Sequence, residues 1–237
     1  IHLLLFGIFF YLIPSFALIF FVLFSSYHFG EQQWTMFSKQ KQNNLGIFYF
    51  FYGLFLFSFL FWSNNIFVTE IIYDITAVNL DLALYNYLLY FSLIGLTILV
   101  FLNFKYLLDQ LLIQSFLMIL ISIIFFNTNL IFAFGIYFVF WHSIPSIIEQ
   151  SEYIYGSSNV KSFLNYIKSA IIYWIISLLG LLIIYYLLKD YQNLLISIFF
   201  SFLAAITFPH TVVIFKIKRK SMQSSALNIS IKDVTKT

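Results

Sequence analysis

Four histidines, His2, His28, His142 and His210, carry nearly all of the metal-ligating capacity of this 237-residue chain. Neutral imidazole is the commonest nitrogen ligand for iron, zinc and copper, and it can also relay protons near neutral pH. The chain has no cysteine, so thiolate metal sites, iron–sulfur clusters, disulfides and a cysteine nucleophile are excluded. His28 sits in Ser25-Ser26-Tyr27-His28-Phe29-Gly30-Glu31-Gln32-Gln33-Trp34. On a helix Glu31 lies one turn onward, where it could orient a metal-bound imidazole, act as a further ligand, or stand as a solvated helix-end carboxylate. His142 sits in Phe140-Trp141-His142-Ser143-Ile144-Pro145-Ser146. Pro145 has no N–H to donate, which frees the carbonyl of Trp141 beside the ring. His210 follows Thr207-Phe208-Pro209, so two of the three prolines lie next to histidines and point to shaped helices.

The elements that hold these residues must be membrane helices. Hydrophobic residues make up 62% of the chain and charged ones 9%, against about 25% charged in an ordinary soluble domain. A globular exterior in water needs far more polar surface than that. The net charge of +3 is small and dispersed, which argues against nucleic acid as a partner. Eleven of the twelve basic residues are lysine, and the 33 phenylalanines accompany abundant Ile, Tyr and Asn. That bias fits an AT-rich genome, so the phenylalanines alone do not indicate an aromatic pocket. The chain starts at Ile1 and is apolar at once, with no basic n-region or cleavage site, and the expectation is that a preceding segment is missing.

A span needs roughly 20 largely apolar residues to cross the hydrocarbon. Seven stretches approach this: 3–27, 46–62, 84–104, 111–127, 130–148, 163–188 and 192–215. The expected fold is therefore all-α, a polytopic transmembrane helix bundle over residues 1–220 that includes the metal site, with a disordered cytoplasmic tail at 221–237. The segments at 105–110, 127–129 and 189–191 read as short connections. Of the twelve Lys and Arg residues, all but Lys189 fall in one alternating set of loops. By the positive-inside rule that set, including the C-terminus and the 28–45 loop, is cytoplasmic, and the location is the inner cell membrane. The long outer connection, 64–83, reads as an interfacial helix or an amphipathic connector with Glu70, Asp74 and Asp81 on one face.

Depth then sorts the histidines. His28 follows the first span at its cytoplasmic end, and His142 and His210 lie in the cytoplasmic halves of two inward-running spans. Three imidazoles from three helices can converge there, as in ligand sites built inside helix bundles. His2 precedes His28 by 26 residues, or about 39 Å along a continuous helix, too far to join them. The plainer alternative is that each histidine bonds a neighbour or reaches to the interface.

The boxes His28-Phe29-Gly30, Trp141-His142-Ser143 and Phe208-Pro209-His210, in this order along a multi-span chain, resemble the Brp/Blh family of membrane β-carotene 15,15′-oxygenases. The resemblance implies cleavage of β-carotene by dioxygen at its central double bond into two all-trans-retinal molecules, with an Fe(II) centre held by histidines. His28 and His142 would be ligands, and His210 a ligand or a supporting residue. The family's upstream Pro-His-Gly box is absent here, and His2 would belong to its tail. Some members carry a second histidine four residues after the Trp-His-Ser one, where this chain has Ser146, so either His210 completes the site or the chemistry differs. Tyr27, Trp141 and Phe208, each adjacent to a box histidine, would line the polyene channel, with Glu31 and Ser146 supporting the metal. A retinal-binding rhodopsin would be a functional associate.

Other readings compete. A rhodopsin needs a lysine in mid-membrane, and none is available; the membrane di-iron enzymes need many more histidines. A proton-coupled transporter would require polar residues through the midplane and broken helices in two halves. A carotenoid- or retinal-binding accessory protein without turnover remains open, and the intactness of the metal site separates it from the enzyme.

Overall fold

The computed structural model describes residues 8, 9, 12–36, 45–191, 195, 198–204 and 207. Its elements are α1 (Pro14–Thr35), α2 (Gly46–Ser63), α3 (Asn65–Thr76), α4 (Ala83–Leu102), α5 (Phe104–Asn127), α6 (Leu130–Tyr137), a π-helical segment (Phe138–Ser143), α7 (Ile144–Tyr155) and α8 (Val160–Leu188). No strand occurs among the described residues. The class is all-helical, as composition required.

Among the described residues, five helical runs are long and apolar enough to cross a membrane: Gly46–Ser63, Ala83–Leu102, Phe104–Asn127, Leu130–Tyr155 and Val160–Leu188. Seven were expected, and the two others differ for separate reasons. α1 opens at Pro14, whose fixed φ suits the first helical turn, and runs on through Thr35. The polar segment after residue 27, read from sequence as a loop, is its last two turns. Ser25, Ser26, His28, Gln32 and Gln33 are all buried; of these, Ser26 donates to the Val22 carbonyl, and Gln32 and Gln33 bond to His142 and Gln114. The expected span 3–27 lies partly outside the described residues, and the polar end of α1 keeps the described helix out of the apolar set. The stretch 192–215 falls mostly outside the described residues, as does the tail 221–237.

α1 and α2 pack backbone to backbone. A Cβ on Gly30 would lie 1.8 Å from the Tyr49 carbonyl oxygen, and one on Gly53 would lie 1.8 Å from that of Ser26. Small residues at a helix crossing allow this approach, which is how membrane helices gain packing without a hydrophobic driving force. Around the crossing lies an aromatic core that includes Phe29, Trp34, Phe48, Tyr52, Phe57 and Phe125.

Two connections differ from expectation. The segment 105–110 is the start of α5, and the break from α4 is confined to Asn103, whose side-chain amide donates to the Leu99 carbonyl at 2.8 Å. Lys105 and Asp109 are exposed and stand one helical turn apart, a spacing that favours opposite charges. In the outer connection, α3 buries Val68 and Ile71 and leaves Glu70 and Asp74 exposed. Asp81 does not share that face, because Ala77 takes a left-handed conformation, φ 57°, and ends the helix. The Asp81 carboxylate instead accepts from the N–H of Ala83, the first residue of α4, at 2.9 Å.

α6, the π segment and α7 form one run from Leu130 to Tyr155. Asn129 caps its start by accepting from the Phe132 N–H, and Gly156, φ 74°, ends it. α8 begins with Asn159 accepting from the Ser162 N–H at 2.8 Å. It is apolar on all sides, and none of its most apolar window is buried, as a helix facing lipid requires.

Candidate metal centre

His28 lies on the buried face of α1 and His142 in the π segment, and the two rings meet edge to face with centroids 5.2 Å apart. They are 3% and 6% exposed. Aromatic side chains enclose them: the Phe29 ring is 4.6 Å from that of His142 and the Phe138 ring 4.9 Å. The α1–α2 crossing sets the depth of His28. His142 owes its setting to Pro145, which cannot donate to the preceding turn. The helix responds by widening into the π segment Phe138–Ser143. One residue more per turn rotates everything beyond by about 100°, and π turns recur at functional sites.

Gln32, one turn beyond His28 on α1, grips His142 twice. Its Oε1 lies 2.5 Å from the ring Nδ1, and its Nε2 donates to the His142 backbone carbonyl at 3.1 Å. A cleft of about 320 Å³ opens beside His142, lined by Ser143, Ser146, Gln150, Tyr166, Trp174 and Thr207 among others. Its polar wall is tied together: Gln150 Nε2 donates to Ser146 Oγ at 2.9 Å, and the Tyr166 hydroxyl donates to Gln150 Oε1 at 2.9 Å. A separate, almost wholly apolar cleft of about 70 Å³ lies between α1, α2 and α3, against Leu18, Phe21, Phe57, Phe61, Ile71 and Ile75.

Of the residues singled out in the sequence, the structure brings together His28, His142 and, along the cleft, Ser146. Glu31 accepts a long hydrogen bond, 3.4 Å, from the Tyr27 hydroxyl. Trp141 is half-buried and stacks on Tyr137, centroids 6.3 Å apart, as part of the core. His2, Phe208 and His210 lie outside the described residues. Thr207, three positions before His210, lines the cleft. Among the described residues no group of three or more His, Asp and Glu side chains could hold a metal.

The β-carotene 15,15′-dioxygenase family model matches residues 1–218, nearly the whole chain. The chain belongs to the β-carotene 15,15′-dioxygenase family. No curated protein and no solved structure matches it. The family's description implies dioxygenase chemistry on a carotene, and the five apolar helices suit a substrate that resides in lipid.

Within this β-carotene 15,15′-dioxygenase family chain, two contributors escaped the sequence reading. Gln32 stands at i+4 from His28, a spacing that puts both on one helix face. That signal was present but was masked by taking the segment as a loop. The π turn was half legible: Pro145 indicated a freed carbonyl, while only the neighbouring helices decide whether the chain kinks or widens.

Proposed function

We propose that this protein cleaves β-carotene at its central 15,15′ double bond with dioxygen, giving two molecules of all-trans-retinal, and that iron is its cofactor. The reaction balances without another reductant, since both oxygen atoms enter the two aldehydes as the C=C bond is broken. The observation that carries this reading is the buried His28–His142 pair in a chain of the carotene dioxygenase family. Two imidazoles with no thiolate nearby form a donor set that suits Fe(II). His28 and His142 would hold the metal, with His210 as the third ligand. The place of Thr207 on the cleft wall supports that assignment. Bound iron would supply the redox chemistry by which dioxygen reacts with an alkene.

The protein's own residues supply the rest. Phe29 and Phe138 pack against the His142 ring and hold it in place. The cleft beside His142 has apolar walls in Phe138, Ile147, Trp174 and Leu203 that would seat the polyene. Holding the central bond in one place in a dry cavity is what directs cleavage to it. Tyr27, Trp141 and Phe208 are further lining candidates, with Glu31 and Ser146 supporting the metal. Lipid would deliver the substrate, and a retinal-binding rhodopsin would take up the product.

The test is expression in a β-carotene-producing bacterium supplied with iron, with pigment and retinal separated by chromatography. Retinal should appear as carotene disappears, and His142→Ala should abolish it while the protein still inserts in the membrane. Persistence of carotene with well-expressed protein would leave the non-catalytic carotenoid-binding reading in its place.

A further inference from the structure

We infer that Gln32 is a positioning residue that locks His142 in the tautomer protonated at Nδ1, so that Nε2 keeps the lone pair a metal requires. This rests on the iron-centre reading above. The logic begins at a group whose polarity cannot change, the backbone carbonyl oxygen of His142, which can only accept. The Gln32 side chain meets it at 3.1 Å, so the amide end facing it is the NH₂. The other end, Oε1, then faces the ring Nδ1 at 2.5 Å and can itself only accept. A ring nitrogen against an acceptor carries the hydrogen, and in a neutral imidazole the remaining nitrogen holds the lone pair. Turning the amide over would set two oxygens against each other at the carbonyl. One backbone acceptor thus dictates the amide, and the amide dictates the tautomer.

The fold makes this arrangement hard to escape. Gln32 is 3% exposed and sits one turn from His28 on the same helix. α1 therefore carries one histidine and grips the other by both ring and backbone. The position of the His142 ring is thus tied to the helix that carries His28. Metal-binding histidines commonly donate their second N–H to a carboxylate or carbonyl that fixes the ring. A neutral amide does the same without burying a charge among apolar helices.

The test uses purified protein with ¹⁵N-labelled histidine, the His142 ring signals being assigned by their loss in His142→Asn. In metal-free wild type, Nδ1 of His142 should be protonated. Gln32→Leu should weaken iron(II) binding, measured by titration with metal analysis, about 10- to 100-fold and release the ring to the other tautomer. Gln32→Glu keeps an oxygen against Nδ1 and should keep the Nδ1–H tautomer, although it loses the N–H that meets the His142 carbonyl. Protonation at Nε2 in the metal-free wild type overturns the inference, and so does a Gln32→Leu protein that binds iron(II) as tightly as wild type. The wild-type signals decide alone if Gln32→Leu does not fold. A wild type that shows the Nδ1–H tautomer yet binds no iron(II) supports the lock and sinks the iron centre instead.

Discussion

Gln33 of α1 and Gln114 of α5 exchange two hydrogen bonds in the bundle interior: Gln33 Nε2 to Gln114 Oε1 at 3.1 Å, and Gln114 Nε2 to the Gln33 backbone carbonyl at 3.0 Å. Both are buried. A polar group in such surroundings costs free energy unless it is paired, and the cost falls on whichever partner is left behind. Gln114→Leu should therefore destabilise the protein by about 1 to 2 kcal/mol, in keeping with interhelical hydrogen bonds in membrane proteins. The double substitution of Gln33 and Gln114 by Leu should cost less than the two single changes together. Thermal unfolding in detergent would measure this, and strict additivity would show that the pair does not couple. The same reasoning applies to Gln32 and His142, where one side-chain amide meets both the ring Nδ1 and the backbone carbonyl.

At the scale of elements, the α1–α2 crossing positions the candidate centre. Gly53→Ala would drive a Cβ into the Ser26 backbone, 1.8 Å from its carbonyl oxygen, and the helices must separate to admit it. Overpacking of this kind costs about 1 to 3 kcal/mol, and because His28 rides on α1, retinal formation should fall with it. Gly135 in α6 is the control, since a Cβ there meets nothing within 4 Å. Gly135→Ala should be neutral or stabilise by up to about 1 kcal/mol through helix propensity. Equal melting temperatures for the two variants would count against the crossing as the organising contact. Part of this element is legible in the sequence: a helix leading into the His28 box is expected there, and α1 runs through it. Its length is not, because His28 through Trp34 reads as a loop until α2, α5 and the π turn are seen to cover it.

For the whole molecule, three membrane-length runs, Ala83–Leu102, Phe104–Asn127 and Leu130–Tyr155, separate the turn after α3 from the turn after α7. An odd number of crossings puts those turns on opposite sides of the bilayer. On the orientation expected from the lysine distribution, the α7–α8 turn would be cytoplasmic. Since the chain has no cysteine, single replacements give a clean readout. Asn79→Cys and Ser158→Cys, both at exposed positions, should react with an impermeant maleimide from outside and from the cytoplasmic side respectively. Labelling of both from one side would remove at least one of the three crossings.

What the sequence determines by itself follows from properties that need no partner. The balance of apolar and charged residues dictates membrane helices, the lack of cysteine leaves imidazole as the main ligand type, and the ordered histidine boxes identify the family. Tertiary structure alone decides that His28 and His142 adjoin, that α1 continues to Thr35, and that Gln32 holds the second histidine. The physical reason is the same in each case. Whether a polar side chain marks a helix end or a buried contact depends on what stands across from it, and that partner comes from residues far away in the chain, 110 positions in the case of Gln32 and His142.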